Sequence, residues 1–137
     1  MFLLSILGLA TTVLGARDAD IVTSLPNVGP LPSKWYSGYL NVNEDKQLFY
    51  VFVESQNAEK PTEDPLIVWF NGGPGCSSLL ALFSENGPFV IDDGETVIKP
   101  NPFPWTLKNN MLYIESPAGV GFSKAANADA YRHNDMT

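Results

Sequence analysis

The chain has 137 residues, which is the length of a single small domain. With 45% hydrophobic and 17% charged residues, its composition is that of a globular protein and excludes a disordered one. The net charge is −7 at pH 7 and no cluster of Lys and Arg occurs, so we expect no nucleic-acid partner.

Residues 1–16 have the pattern of a secretory signal peptide. Residues 2–14 are apolar apart from Ser and Thr, and Gly15 and Ala16 are small residues suited to cleavage. An uncleaved membrane anchor is the alternative, but the apolar run is short for a bilayer span of ~20 residues. We therefore expect residues 17–137 to form the mature domain, to enter the secretory pathway and to have no membrane segment after cleavage.

A β-hairpin is predicted next along the chain. Residues 35–42 and 47–54 have the composition of strands, and residues 43–46 supply a polar turn between them. Residues 55–64 are polar, and their sequence gives no sign of order.

The run PLIVWFNGGPGCSS at residues 65–78 is the most informative stretch of the chain. Five apolar residues, 66–70, predict a strand buried on both faces. Glycines at residues 72, 73 and 75 allow a sharp turn and a close approach of the backbone to a ligand. A helix is expected from Ser77 to Phe83, capped by Ser77 or Ser78. Backbone N–H groups at this point could hold an oxyanion or a carboxylate.

The remaining elements complete an α/β pattern with few helices. A turn is predicted at residues 92–95, an extended loop with three prolines at 99–105, a short strand at 111–114 and a glycine-bearing loop at 117–121. An α/β sheet needs helices on both faces, and this sequence offers one good helix. We therefore expect an incomplete sheet, and a chain that is the beginning of a larger fold.

Four stretches in order resemble the serine carboxypeptidases, a family of secreted and lysosomal or vacuolar exopeptidases with the α/β-hydrolase fold. The stretch WFNGGPGCSS at residues 69–78 is similar to the oxyanion-loop signature of that family. Three others are similar to its N-terminal hairpin, to the segment after its first helix and to its next core strand and loop: residues 36–40 with 49–55, residues 85–89 and residues 112–123. The resemblance implies the N-terminal part of an α/β-hydrolase fold, made of hairpin, buried strand, oxyanion loop, helix and strand.

The resemblance also implies part of a substrate site. The N–H of Gly73, with Gly72 beside it, corresponds to the oxyanion hole, although the glycines could form a plain tight turn. Asn71 and Glu85 correspond to residues that bind the free C-terminal carboxylate of a peptide, best at acidic pH. The alternatives are a loop residue bonded to local backbone for Asn71 and a solvated helix end for Glu85. Trp69 is expected in the substrate site as a pocket wall, or else in the core.

The sequence contains no catalytic triad. No Gly-x-Ser-x-Gly elbow occurs, and the only histidine, His133, lies in the polar tail. In the resembled family the catalytic Ser, Asp and His come later than residue 137, so we expect a truncated chain without turnover of its own. Cys76 is a candidate for the family disulfide, whose downstream partner is absent. No metal-ligand spacing or phosphate loop is found, so we expect neither a metal nor a cofactor.

The resemblance favours hydrolysis of C-terminal peptide bonds through an acyl-enzyme, with peptides or proteins that have a free C-terminus as substrates. One alternative is an acyltransferase on the same scaffold, in which an alcohol replaces water. Another is a non-catalytic truncated product that acts as a binding protein. An esterase is less favoured, because its usual oxyanion loop is rich in His-Gly-Gly and this chain has Asn71 there.

Overall fold

The structure, a computed structural model, describes residues 18–132. The predicted signal peptide at residues 1–16 and His133 lie outside the described residues. The strands are β1 (Ile21–Val22), β2 (Trp35–Asn41), β3 (Lys46–Val53), β4 (Leu66–Trp69), β5 (Phe89–Val90), β6 (Lys99–Pro100), β7 (Asn110–Ile114) and β8 (Lys124–Ala125). Helix α1 spans Leu79–Ser84, and 3-10 helices lie at Asp18–Asp20, Pro61–Glu63, Trp105–Leu107 and Asp129–Tyr131.

Six of these strands form one mixed sheet. Its order is β1-β2-β3-β7-β4, and β8 pairs with the start of β3. All neighbours are antiparallel except β4 and β7, which run parallel with Trp69 opposite Tyr113. Parallel neighbours need a crossover connection, and here it contains α1 and the small β5–β6 hairpin.

The predicted hairpin is confirmed as β2 and β3, which pair from Trp35 opposite Val53 to Asn41 opposite Gln47. Their turn is closed by the Val42 N–H, which donates to the Lys46 carbonyl at 3.0 Å. The predicted helix and the strand at residues 111–114 are confirmed as α1 and β7. The glycine turn at residues 92–95 is also present, with the Glu95 N–H donating to the Asp92 carbonyl at 2.9 Å.

The hydrophobic core lies between α1 and one face of the sheet. Alternate residues of neighbouring strands point to this face, because side chains along a strand alternate between the two faces. The core consists of Trp35, Val51, Val53, Ala81, Leu82, Phe89, Met111 and Tyr113. Burial of this one face fixes the register of the sheet, since a slip of one residue would expose the whole set.

The prediction that residues 66–70 are buried on both faces is wrong. Ile67 and Trp69 pack towards the core, but Leu66 and Phe70 are each 56% exposed and Val68 is exposed as well. The reason is that β4 is the last strand of the sheet, and α1 covers only one of its faces. Among the described residues no second layer packs on the other face, so the apolar run does not give the burial expected of a two-sided strand.

The polar loop at residues 55–64 is ordered, contrary to the prediction. The loop is held by hydrogen bonds to Asn110, the first residue of β7, whose side chain is buried. The Asn110 Oδ1 atom accepts the Ser55 N–H at 3.0 Å, and its Nδ2 donates to the carbonyls of Pro61 at 2.8 Å and Asp64 at 2.9 Å. The loop is therefore held by a side chain distant in sequence, which a local reading of its composition cannot show.

Candidate active site

The glycine loop at residues 71–78 begins where β4 ends and is fixed to the neighbouring end of β7. The Asn71 N–H donates to the Ser78 Oγ atom at 3.1 Å, and the Ser78 hydroxyl donates to the Ile114 carbonyl at 2.6 Å. Ser78 stands at the N-cap of α1, yet its side chain makes no capping bond. The Ser77 Oγ atom accepts the Leu79 N–H at 3.2 Å instead. Of the two predicted capping residues, Ser77 binds the first turn of the helix and Ser78 binds strand β7 of the sheet.

Gly73 has a backbone conformation that requires glycine. Its φ angle is +126°, and a Cβ atom there would lie 3.1 Å from the Gly75 nitrogen. The turn is closed by the Cys76 N–H, which donates to the Gly72 carbonyl at 3.2 Å. The Gly73 N–H makes no hydrogen bond to another residue of the described range. Gly73 as a residue is exposed, and its N–H is not used within the described fold.

The Asn71 side chain is oriented by Trp69. The Trp69 Nε1–H donates to the Asn71 Oδ1 atom at 2.9 Å. This bond uses the amide oxygen as acceptor and so determines which side of the amide carries the oxygen and which the nitrogen. The Nδ2 group is left to donate elsewhere. The Trp69 ring also packs edge-on against Trp105, with centroids 5.7 Å apart and an interplanar angle of 85°. Trp69 is half-buried beside the core, so both of its expected environments, core and pocket wall, are compatible with its position.

Glu85 lies at the C-terminal end of α1 with its side chain exposed. Its carbonyl and that of Gly87 accept from the Asn101 Nδ2 group at 3.2 and 2.8 Å. The next residue, Asn86, is buried, and its Oδ1 atom accepts the Tyr113 hydroxyl at 2.8 Å. No hydrogen bond joins Glu85 to Asn71 within residues 18–132, so the two candidate residues are linked only through this framework.

The Tyr113 hydroxyl connects β7 to the Glu85 segment and is fully buried. Burial raises the pKa of Tyr113 well above its usual value of 10, and the negative charge of Glu85 adds to that increase. The neutral phenol is therefore favoured in the folded protein. Because the unfolded chain ionises this group near pH ~10, its contribution to stability is complete below that pH and falls as the pH rises further.

Tyr113→Phe is expected to lower the free energy of unfolding at pH 7 by about 1–2 kcal/mol, because Asn86 loses its buried partner. The difference between the two proteins should shrink above pH ~10, where only the wild type loses stability through this phenol. Urea unfolding at neutral pH and near pH ~11 measures both effects. If the two proteins differ in free energy of unfolding by the same amount at both pH values, the raised pKa of Tyr113 in the folded protein would be contradicted.

The sequence of the chain matches a family model of the serine carboxypeptidases over residues 26–137. The chain belongs to the serine carboxypeptidase family.

Relatives within the serine carboxypeptidase family share much of the sequence. The lysosomal protective protein of Mus musculus is 48% identical over 124 residues, which are 90% of this chain and 26% of that protein. Serine carboxypeptidase S10 family member 1 of Dictyostelium discoideum is 51% identical over 102 residues, 73% of this chain and 24% of that protein. The chain thus spans about a quarter of the length of these relatives.

A solved carboxypeptidase structure has a similar fold. It is Kex1(delta)p, a prohormone-processing carboxypeptidase from Saccharomyces cerevisiae, with a TM-score of 0.57 and 32% sequence identity. The similarity covers 71% of this chain and 22% of that one. The mixed sheet with few helices is therefore the architecture of a known carboxypeptidase region.

One residue to which the serine carboxypeptidase resemblance assigned no role, Glu115, lies at the base of the glycine loop. Glu115 is 0% exposed, and its carboxylate accepts hydrogen bonds from the Ser77 hydroxyl and, at 2.5 Å, from the Phe122 N–H. No ion pair within the described range includes Glu115. The available signal was an acidic residue at the end of an apolar strand, followed by a glycine loop.

Cys76 is a free, exposed thiol in this structure. Since the chain has one cysteine, the disulfide implied by the family remains without a partner here.

Among residues 18–132, no group of three or more His, Cys, Asp or Glu could hold a metal ion. No helix in that range is long and apolar enough to cross a membrane.

Proposed function

We propose that this chain supplies the oxyanion loop and part of the carboxylate pocket of a serine-type carboxypeptidase. In this proposal it forms the N-terminal part of an α/β-hydrolase fold, and the complete protein removes C-terminal residues from peptides. The observation that carries the proposal is the N–H of the exposed residue Gly73, a donor without an internal acceptor in the loop after β4. Family membership supports the reaction class.

The chemical role of Gly73 follows from the charge that develops during acyl transfer. Attack on the scissile carbonyl makes a tetrahedral intermediate with an anionic oxygen, and a fixed N–H donor stabilises that oxygen more than the ground-state carbonyl. Gly73 is suited to this role because its positive φ is set by the turn and its N–H is not used within the fold. We assign Gly72 to the same loop and propose no nucleophile or base among residues 18–132.

The recognition of a free C-terminus is assigned to Asn71, Glu85 and Trp69. The Trp69 indole occupies the Asn71 oxygen, so the amide presents its Nδ2 donor to a substrate carboxylate. Glu85 lies at the end of α1, on a segment fixed by Asn101 and Tyr113. We propose that Glu85 contributes to binding the same carboxylate from the end of α1.

We also propose that the protein enters the secretory pathway and is secreted or reaches the lysosome or vacuole. The support is the signal-peptide pattern of residues 1–16 and the similarity to the lysosomal protective protein of Mus musculus. In this proposal residues 17–137 belong to the mature enzyme, which acts on peptides with a free C-terminus.

Asn71→Ala is expected to raise KM for a blocked dipeptide with a free C-terminus by about 10–100-fold. A hydrogen bond to a charged group contributes about 1.5–3 kcal/mol, and ~1.4 kcal/mol is a factor of ten. The measurement uses the protein encoded by the complete transcript, assayed with the free acid and with its C-terminal amide. The amide lacks the charge, so its slower hydrolysis should change little in the variant.

Asn43→Ala is the matched control, because Asn43 binds the Asp45 N–H in the turn between β2 and β3, outside the site. A wild-type protein that hydrolyses neither peptide would overturn the carboxypeptidase proposal. Acyl transfer to an added alcohol in preference to water would favour the acyltransferase. A transcript that stops after residue 137 would favour the non-catalytic product.

A further inference from the structure

Glu115 forms the most deeply buried charged site of the described chain. Its side chain is 0% exposed at the end of β7, where its two oxygens meet donors from two different loops. One oxygen accepts the Ser77 hydroxyl at the base of the glycine loop. The other accepts the Phe122 N–H of the loop that follows β7, at 2.5 Å. A buried carboxylate without such donors would be strongly unfavourable.

The space around this carboxylate is shaped to hold it. A Cβ atom on Gly121 would lie 2.0 Å from the Glu115 Oε2 atom, so a larger residue there would displace the carboxylate. The three ion pairs within residues 18–132 are exposed and none includes Glu115. Hydrogen bonds from the two loops, and no cation of the described chain, thus hold the group in place.

Two serine side chains join the glycine loop to the end of β7. Ser77 also binds the Leu79 N–H at 3.2 Å, so the same hydroxyl ties the start of α1 to Glu115. The other anchor of the loop is Ser78, which joins the Asn71 N–H to the Ile114 carbonyl. Both anchors reach consecutive residues at the end of β7, and Gly73 lies in the loop that they fix.

We propose that Glu115 is a positioning residue that acts through Ser77 to hold the Gly73 N–H in its oxyanion-binding direction. Glu115 does not touch the substrate in this proposal. The inference rests on the proposed oxyanion role of Gly73. A small displacement of such a donor is enough to lower the rate by up to ~10²-fold, even when the protein stays folded.

The test compares Ser77→Ala and Glu115→Gln with Ser123→Ala in the protein encoded by the complete transcript. Ser123 is also buried and also binds Glu115, but its hydroxyl donates to the Glu115 backbone carbonyl at 2.6 Å and accepts the Phe49 N–H at 2.8 Å. It therefore controls for the loss of a buried hydroxyl on the side away from the glycine loop. Ser77→Thr keeps the hydroxyl and serves as the rescue variant.

We expect Ser77→Ala and Glu115→Gln to lower kcat by about 10–100-fold with KM within about twofold, because a transition-state interaction is lost. Ser123→Ala should retain kcat within about threefold, and Ser77→Thr should recover most of it. Amide hydrogen exchange over residues 71–78 should be roughly tenfold faster in Ser77→Ala than in Ser123→Ala, since the loop opens locally.

Three results would overturn the inference. They are equal losses of kcat in Ser77→Ala and Ser123→Ala, failure of the threonine rescue, and unchanged exchange in the loop. An inactive wild-type protein would overturn the proposed function, and the exchange measurement would still decide whether Glu115 and Ser77 fix the loop. The two failures are therefore distinguishable.

Discussion

Gly87→Ala is expected to lower the free energy of unfolding by roughly 3 kcal/mol or more, the largest loss of stability that we anticipate for a single added methyl group. A Cβ atom on Gly87 would lie 1.9 Å from the Leu82 carbonyl oxygen and 2.8 Å from its carbon. The obstacle is backbone, so a change of rotamer cannot relieve it. Either the end of α1 or the Glu85–Gly87 segment must move, and that segment is fixed by Asn101.

Gly29→Ala is the matched control, because nothing lies within 4 Å of the added Cβ atom there. Urea unfolding of both variants and the wild type measures the difference. The midpoint of Gly87→Ala should fall strongly while that of Gly29→Ala stays near the wild-type value. Equal midpoints for the two variants would show that the end of α1 can move at little cost in free energy. The Glu85–Gly87 segment would then not be held rigidly by Asn101.

Gly73→Ala is expected to lower kcat by about 10²–10³-fold in the complete protein, the usual effect of losing one oxyanion donor. Alanine rarely adopts a φ of +126°, and its Cβ atom would approach the Gly75 nitrogen to 3.1 Å. The turn must therefore change, and the N–H would no longer point in its present direction. Steady-state kinetics with the blocked dipeptide measures the loss, which should appear in kcat more than in KM.

Gly94→Ala controls for the strain alone. Gly94 has a φ of +80° in the turn after β5, and nothing lies within 4 Å of its added Cβ atom. Both variants force alanine into an unfavourable backbone region, but only Gly73 carries the proposed donor. A similar fall in kcat for the two variants would mean that strain in the fold, and not the oxyanion contact, causes the loss.

The sequence was sufficient for the features that depend on local pattern. The β2–β3 hairpin, helix α1 and strand β7 follow from alternation, turn residues and apolar runs, and the structure confirms them. The glycine loop was recognisable because three glycines directly follow an apolar strand. Gly73, Asn71 and Trp69 could be named from this motif, although their roles remain proposals.

The features that the sequence did not reveal depend on distant partners. The exposure of Leu66 and Phe70 is decided by which layers cover β4, and an apolar run carries no information about that. Residues 55–64 are held by hydrogen bonds to Asn110, and the glycine loop is joined to Glu115 by the Ser77 hydroxyl. The contacts of Asn110 and Glu115 are hydrogen bonds between segments far apart in sequence, so no short pattern can signal them.

The anchoring of the glycine loop to the end of β7 has a consequence for biosynthesis. Ser78 binds the carbonyl of Ile114, which lies 36 residues later in the chain. A ribosome adds residues one at a time, and contacts between distant residues form only when both are available. A nascent or proteolysed chain that ends before residue 110 would therefore carry the complete glycine motif without a preformed donor. The loop would acquire its shape only after β7 emerges and pairs beside β4.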